Sequence, residues 1–205
     1  MSRLSSEHWG GIARELVSFS LPLILSGVLQ QLYNWVDAFI VGHVEGQLAM
    51  GSVGATTTSV NLFVTVITGF TLGLNVLMAQ RHGAGETHKV AKTLSLFALI
   101  LGGAFLVIAV PGYFFAGELL VLLDTPAEIL EDAYRYIIVI DLGVLVMFLY
   151  NLCAGLLRAI GNSVMPLVFL LISSGLNVAL DLWFIAGLGM GVQGAAVATV
   201  IAQGI

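Results

Sequence analysis

Long apolar runs separated by short polar connections set the plan of this 205-residue chain. Five complete runs predict helices near Leu16–Val41, Ser52–Ala79, Val90–Tyr113, Tyr134–Leu157 and Val164–Ala186, and a sixth begins near Val192. Each of the five exceeds the roughly 20 apolar residues that carry a helix across a bilayer. The sixth reaches only about 21 Å before Ile205, at 1.5 Å per residue, which is short of the hydrocarbon thickness. The pattern predicts an all-α, polytopic membrane protein. The unfinished sixth span predicts a fragment that lacks a C-terminal part.

Polar residues inside the runs recur in steps of three and four. Ser26, Gln30, Tyr33, Asn34 and Asp37 form one stripe on the first span, with Pro22 at its edge. Thr57, Thr58, Asn61, Thr65, Thr68 and Asn75 form another on the second, and Ser173, Ser174, Asn177 and Asp181 a third on the fifth. Such spacing places each set on one helix face. Three polar stripes cannot all face lipid, so they are expected to face one another or a water-filled cavity.

The connections carry their own signals. Arg81-His82-Gly83-Ala84-Gly85-Glu86 reads as a turn. Thr125-Pro126-Ala127-Glu128 has the form of a capping box and predicts a fourth helix from near Pro126 to about Ile160. Gly161-Asn162 ends that helix, and Asn162 or Ser163 caps the next, before Pro166.

Composition narrows the classes. The chain is 59% hydrophobic and 9% charged, so the lipid bilayer is its expected surroundings. Seven basic residues are scattered, which leaves no patch for nucleic-acid phosphates. The single cysteine, Cys153, excludes an internal disulfide and is expected as a buried thiol. With the N-terminus inside, the inner segments hold Arg3, Arg14, Arg81, Lys89, Lys92 and Arg158 and the outer side only Arg135. Residues 1–15 then form a cytoplasmic N-terminus without a signal-peptide cleavage site, ahead of the helices in 16–205. His43 at the outer rim and His82 and His88 in the inner loop are expected to be solvated. No nucleophile–base set, phosphate loop or metal cluster points to an enzyme.

Asp37 and Asp181 carry the chemistry. Asp37 lies five residues before Gly42 and Asp181 six before Gly187, so both sit at similar height in the outer half. Tyr136 and Thr199 enter from the same side and can meet them, whereas Asn151 lies several turns deeper. Ionisable groups at such depth are expensive and mark ion, proton or substrate pathways. Either one acid takes a proton or a cation bridges the pair, and an all-oxygen set suits a hard cation such as sodium. Asp141 is open between a site and a structural pair with Arg135 or Tyr134. Pro22 removes a backbone donor and predicts a bend in the helix that carries Asp37.

The run Gln31-Leu-Tyr-Asn-Trp-Val-Asp-Ala-Phe-Ile-Val-Gly42 resembles the first membrane helix of the multidrug and toxic compound extrusion (MATE) family. The runs Leu157–Asn162, Gly175–Asp181 and Gly191–Thr199, and Gly83-Ala-Gly-Glu86, resemble it too, with the acids of the DNA-damage-inducible F-like branch. The resemblance implies the six-helix N-terminal lobe of a twelve-helix, two-lobe secondary antiporter, with the C-terminal lobe missing. It implies export of cationic organic compounds or drugs in exchange for Na+ or H+, across a bacterial inner membrane and without a cofactor. It also implies ion or proton coupling at Asp37, Asn177, Asp181 and Thr199, where either a sodium ion or a proton is expected, joined by Tyr136 and with Pro22 as the bending element; Asn34 is added to the site from its place on the helix and stripe of Asp37. Two alternatives stay open: a lipid-linked oligosaccharide flippase of the related superfamily, and a non-transporting membrane subunit. A flippase calls for basic residues toward pyrophosphate, whereas the charges within the spans here are acidic.

Overall fold

A computed structural model describes residues 3–205; residues 1–2 and the side chains of 3–9, Arg3 among them, lie outside the described residues. The chain is helical throughout: α1 Arg3–Val44, α2 Gln47–Gly83, α3 Thr87–Leu122, α4 Leu130–Ala159, α5 Val164–Asp181 and α6 Gly191–Gly204, with a π-helical segment Leu182–Gly187 continuing α5. Five of these elements are long and apolar enough to cross a membrane. In lipid each span must satisfy its own backbone groups, which makes the helix obligatory for an isolated apolar run.

The helices overrun the apolar runs at nearly every end. Hydropathy marks only the lipid-embedded stretch, whereas a helix stops where the backbone is turned aside. Gly46, Gly85 and Gly161 do this at φ 92°, 75° and 89°, a region that favours glycine. Asn162 then caps α5, its side-chain oxygen accepting the Met165 N–H at 3.0 Å. Asn162→Ala is expected to cost about 1 kcal/mol, seen as a lower thermal midpoint in detergent.

The capping box at Thr125 does not form. Helix α4 begins at Leu130, the Thr125 hydroxyl is buried without a partner, and 126–129 make a turn closed by Ile129 N–H on the Pro126 carbonyl at 3.1 Å. Asp124, at φ 54°, redirects the chain so that Ile129 is buried beside Gly51 of α2. Tertiary burial of Ile129 outweighs the local cap.

Helix α4 is the centre of the bundle, packed against α2, α3 and α6, while α1 leans on α5. The core gathers Phe105, Ile140, Val144, Phe148, Leu74 and Ile67 around it. Close approach depends on glycine: Gly143 of α4 meets Val200 of α6, and Gly155 meets Thr71 and Asn75 of α2. The Asn75 amide, with its nitrogen toward the carbonyls, donates to Gly155 O and Thr71 O at 3.2 Å each. Helix α1 is continuous through Pro22, whose carbonyl accepts the Ser26 hydroxyl at 2.8 Å. Arg81 ties the end of α2 to the start of α3 through the Lys89 carbonyl and the Thr93 hydroxyl. Cys153, expected to be buried, is exposed: it lies on a face of α4 that no other helix covers.

Candidate functional site

The parallel helices α1 and α5 and the antiparallel α6 bring three polar stripes to one place. One turn separates Tyr33 from Asp37 on α1 and Asn177 from Asp181 on α5, and Thr199 of α6 stands opposite both. The Tyr33 hydroxyl donates to Thr199 Oγ1 at 3.2 Å. Asn177 and Asp181 are fully buried. The Asn177 amide is satisfied with its nitrogen toward the acid: Nδ2 donates to Asp181 Oδ2 at 2.8 Å and Oδ1 accepts the Thr199 N–H at 3.3 Å. The opposite orientation sets two oxygens against each other and leaves Nδ2 a 3.4 Å contact with Thr199 Oγ1.

Asp37 and Asp181 face one another within hydrogen-bond reach. Each has one oxygen, Oδ1, that is buried without a donor. Two carboxylates in that position repel unless a proton or a cation lies between them. Tyr136 of α4 is 8% exposed and lies within electrostatic range of Asp37, Asp181 and Tyr33, on the inner wall of the same cluster.

Asp181 owes its position to a feature that periodicity does not reveal. It is the last residue of α5, and the π-helical segment widens the helix immediately after it. The segment is closed by Leu188 N–H on the Trp183 carbonyl and Met190 N–H on that of Phe184, both at 2.9 Å. π-Helical turns occur often at functional sites, because the extra residue per turn re-aims a side chain. The only sequence trace is an aromatic pair, Trp183-Phe184, ahead of Gly187 and Gly189.

Other expected residues are placed apart. Asn34 is exposed on α1, and the partner of Thr199 is its neighbour Tyr33. At about 100° per residue, Tyr33 lies closer in azimuth to Asp37 than Asn34 does, which was a readable signal. Asn151 bonds the Met147 carbonyl of its own helix at 2.8 Å. The α2 stripe does not face α1 or α5. Thr57, Thr58, Asn61, Thr65 and Thr68 are exposed, while Ser52, Thr56, Ser59 and Thr71 turn inward. Asp141 pairs with neither suggested donor: Arg135 holds Glu131 at 2.5 Å, and both Asp141 oxygens are buried without a partner against Gly112 of α3.

A bundle of membrane-length helices with paired internal acids defines a class, polytopic membrane proteins, and comparison with known proteins narrows it. The MatE family pattern matches residues 22–183, and the chain belongs to that family of multidrug transporters. It is 32% identical over 200 residues to the probable multidrug resistance protein YpnP of Bacillus subtilis, covering 96% of this chain and 44% of the relative. It is 28% identical over 202 residues to the DNA damage-inducible protein F of Escherichia coli, covering 93% and 41%. Among solved structures, the Vibrio cholerae MATE transporter VcmN in its bent form superposes with a TM-score of 0.88 at 25% identity, covering 95% of this chain and 44% of that one. The chain therefore spans less than half the length of the relatives it matches.

Proposed function

We propose that the chain is the N-terminal lobe of a secondary antiporter that expels cationic organic compounds in exchange for Na+ or H+, with Asp37 and Asp181 as the coupling acids. The observation that carries this reading is the pair of facing carboxyl groups, Asp181 fully buried and Asp37 half-buried, each with a buried oxygen that lacks a donor. Thr199 Oγ1 and, on rotation of its amide, Asn177 Oδ1 complete an oxygen-rich set for either a sodium ion or a proton. Tyr136 lines the wall, and Asn34 is assigned to the rim of the site rather than its centre.

The second lobe is the partner this reading requires, since repeat-built transporters bind substrate at the repeat interface. The exposed Thr57–Thr68 stripe on α2 is the polar surface that would meet it. Residues 1–15 are assigned to the cytoplasmic side of a bacterial inner membrane, by the excess of Lys and Arg on the inner segments. Pro22 is assigned as the bending element of α1; MATE crystal structures have been described in bent and in straight conformations.

The test uses the complete two-lobe transporter in everted vesicles. Uptake of a cationic dye is expected under a sodium gradient at fixed pH or under a pH gradient without sodium, and the gradient that works names the coupling ion. Uptake under neither gradient would remove the antiporter reading.

A further inference from the structure

The helical repeat that builds the acid site continues one tier further. Gln30 lies one turn before Tyr33 on α1, Ser173 and Ser174 one turn before Asn177 on α5, and Gln203 one turn after Thr199 on α6. Because α6 runs against α1 and α5, all three steps lead the same way, toward the inner side. Ser173 pins the tier by donating to the Ala202 carbonyl at 2.7 Å. Tyr150 of α4 closes it.

These side chains enclose a cavity with about 10 Å³ of room for water, the size that holds a single molecule. Two groups at its wall, Ser174 Oγ and Gln203 Oε1, are buried without a hydrogen-bond partner in the chain. One hydroxyl and one amide oxygen, from different helices, are the donor and acceptor that a bridging water needs. Leaving both unpaired in a low-dielectric interior is costly, and a bridging water removes that cost.

We infer that this cavity is an internal water site, in which one molecule bridges Ser174 and Gln203 and extends the acid pair inward as a hydrogen-bonded relay. The inference rests on the coupling role assigned to Asp37 and Asp181, and it adds a selectivity to that role. The lining is neutral, and the room is that of one water. A proton passes by exchange along hydrogen bonds, its arrival at one end balanced by release at the other. A metal cation must shed its water and take several oxygen ligands at once, and on this neutral lining it finds no counter-charge. In this conformation the tier between water and acids is closed by the Tyr33–Thr199 hydrogen bond.

The test uses the complete two-lobe transporter, both in a structure at a resolution that shows ordered water and in proteoliposomes. Density for one oxygen within hydrogen-bond distance of Ser174 Oγ and Gln203 Oε1 is expected, and is expected to vanish in the Ser174→Ala/Gln203→Met double variant. Uptake driven by a pH gradient is expected to fall about tenfold or more in that variant, with substrate affinity unchanged. Ser174→Thr keeps the hydroxyl and is expected to keep the rate, which separates a lost relay from a damaged fold. A dry cavity in the wild-type protein, or a pH-driven rate in the double variant within about twofold of wild type, would overturn the water relay. If Asp37→Asn abolishes uptake while the double variant does not, the relay alone falls. If Asp37→Asn transports normally, the coupling reading falls with it.

Discussion

Export of a cationic dye by the two-lobe transporter is expected to drop to background when Asp181 becomes Asn, and likewise when Asp37 does. The exchange preserves size, and an Asn at either position still offers an acceptor; the Asn177 amide, which donates to Asp181 Oδ2 at 2.8 Å, keeps its bond. What is lost is the charge that holds an ion, or the proton that replaces it. Removing one partner of a buried, hydrogen-bonded charged set costs about 2–5 kcal/mol, so ion affinity falls at least roughly 30-fold. Tyr33→Phe removes only the hydroxyl that bonds Thr199 and is expected to have a smaller effect. The check is export in cells alongside the amount of protein in the membrane. Wild-type export by either Asn variant, at equal expression, would end the coupling assignment.

The second large effect is expected at Gly143, which no chemistry marks. A side chain there runs into Val200, whose Cγ1 and Cβ would lie 3.0 and 3.2 Å from a new Cβ, with Cγ2 closer still. Overpacking at such a contact costs about 1–3 kcal/mol for one methyl, and Gly143→Val adds three carbons. Val200 is next to Thr199, so pushing α6 away also draws the Thr199 hydroxyl from Tyr33. Gly143→Val is expected to lower the thermal midpoint in detergent and reduce transport together. Gly103→Ala, where a Cβ meets nothing within 4 Å, serves as the control and is expected to be neutral or slightly stabilising. A stable Gly143→Val protein with normal transport would show that the α4–α6 contact gives way without consequence.

Much of the candidate site was legible from helical arithmetic. The glycines closing the first and fifth spans put Asp37 and Asp181 at one level, and the steps of three and four placed Tyr33 and Asn177 beneath them. Asn151 was separable from the cluster by depth alone, and the structure holds it on its own helix. The exposed stripe on α2 shows where this kind of reading stops. Its five residues do share a face, yet the face turned inward carries Ser52, Thr56, Ser59 and Thr71 instead. In lipid, apolar surface does not distinguish inside from outside, so small residues and close packing choose the buried face.

Span count, helix direction and the common height of the two acids follow from the order of residues, because length and the 3.6-residue repeat are local properties of the backbone. The start of α4 at Leu130, the π-helical widening after Asp181 and the isolation of Asp141 against Gly112 do not follow from it. Each depends on which neighbour a helix meets and at what rotation, and that is settled by contacts such as Ile129 with Gly51 and Gly143 with Val200, between residues far apart in the chain.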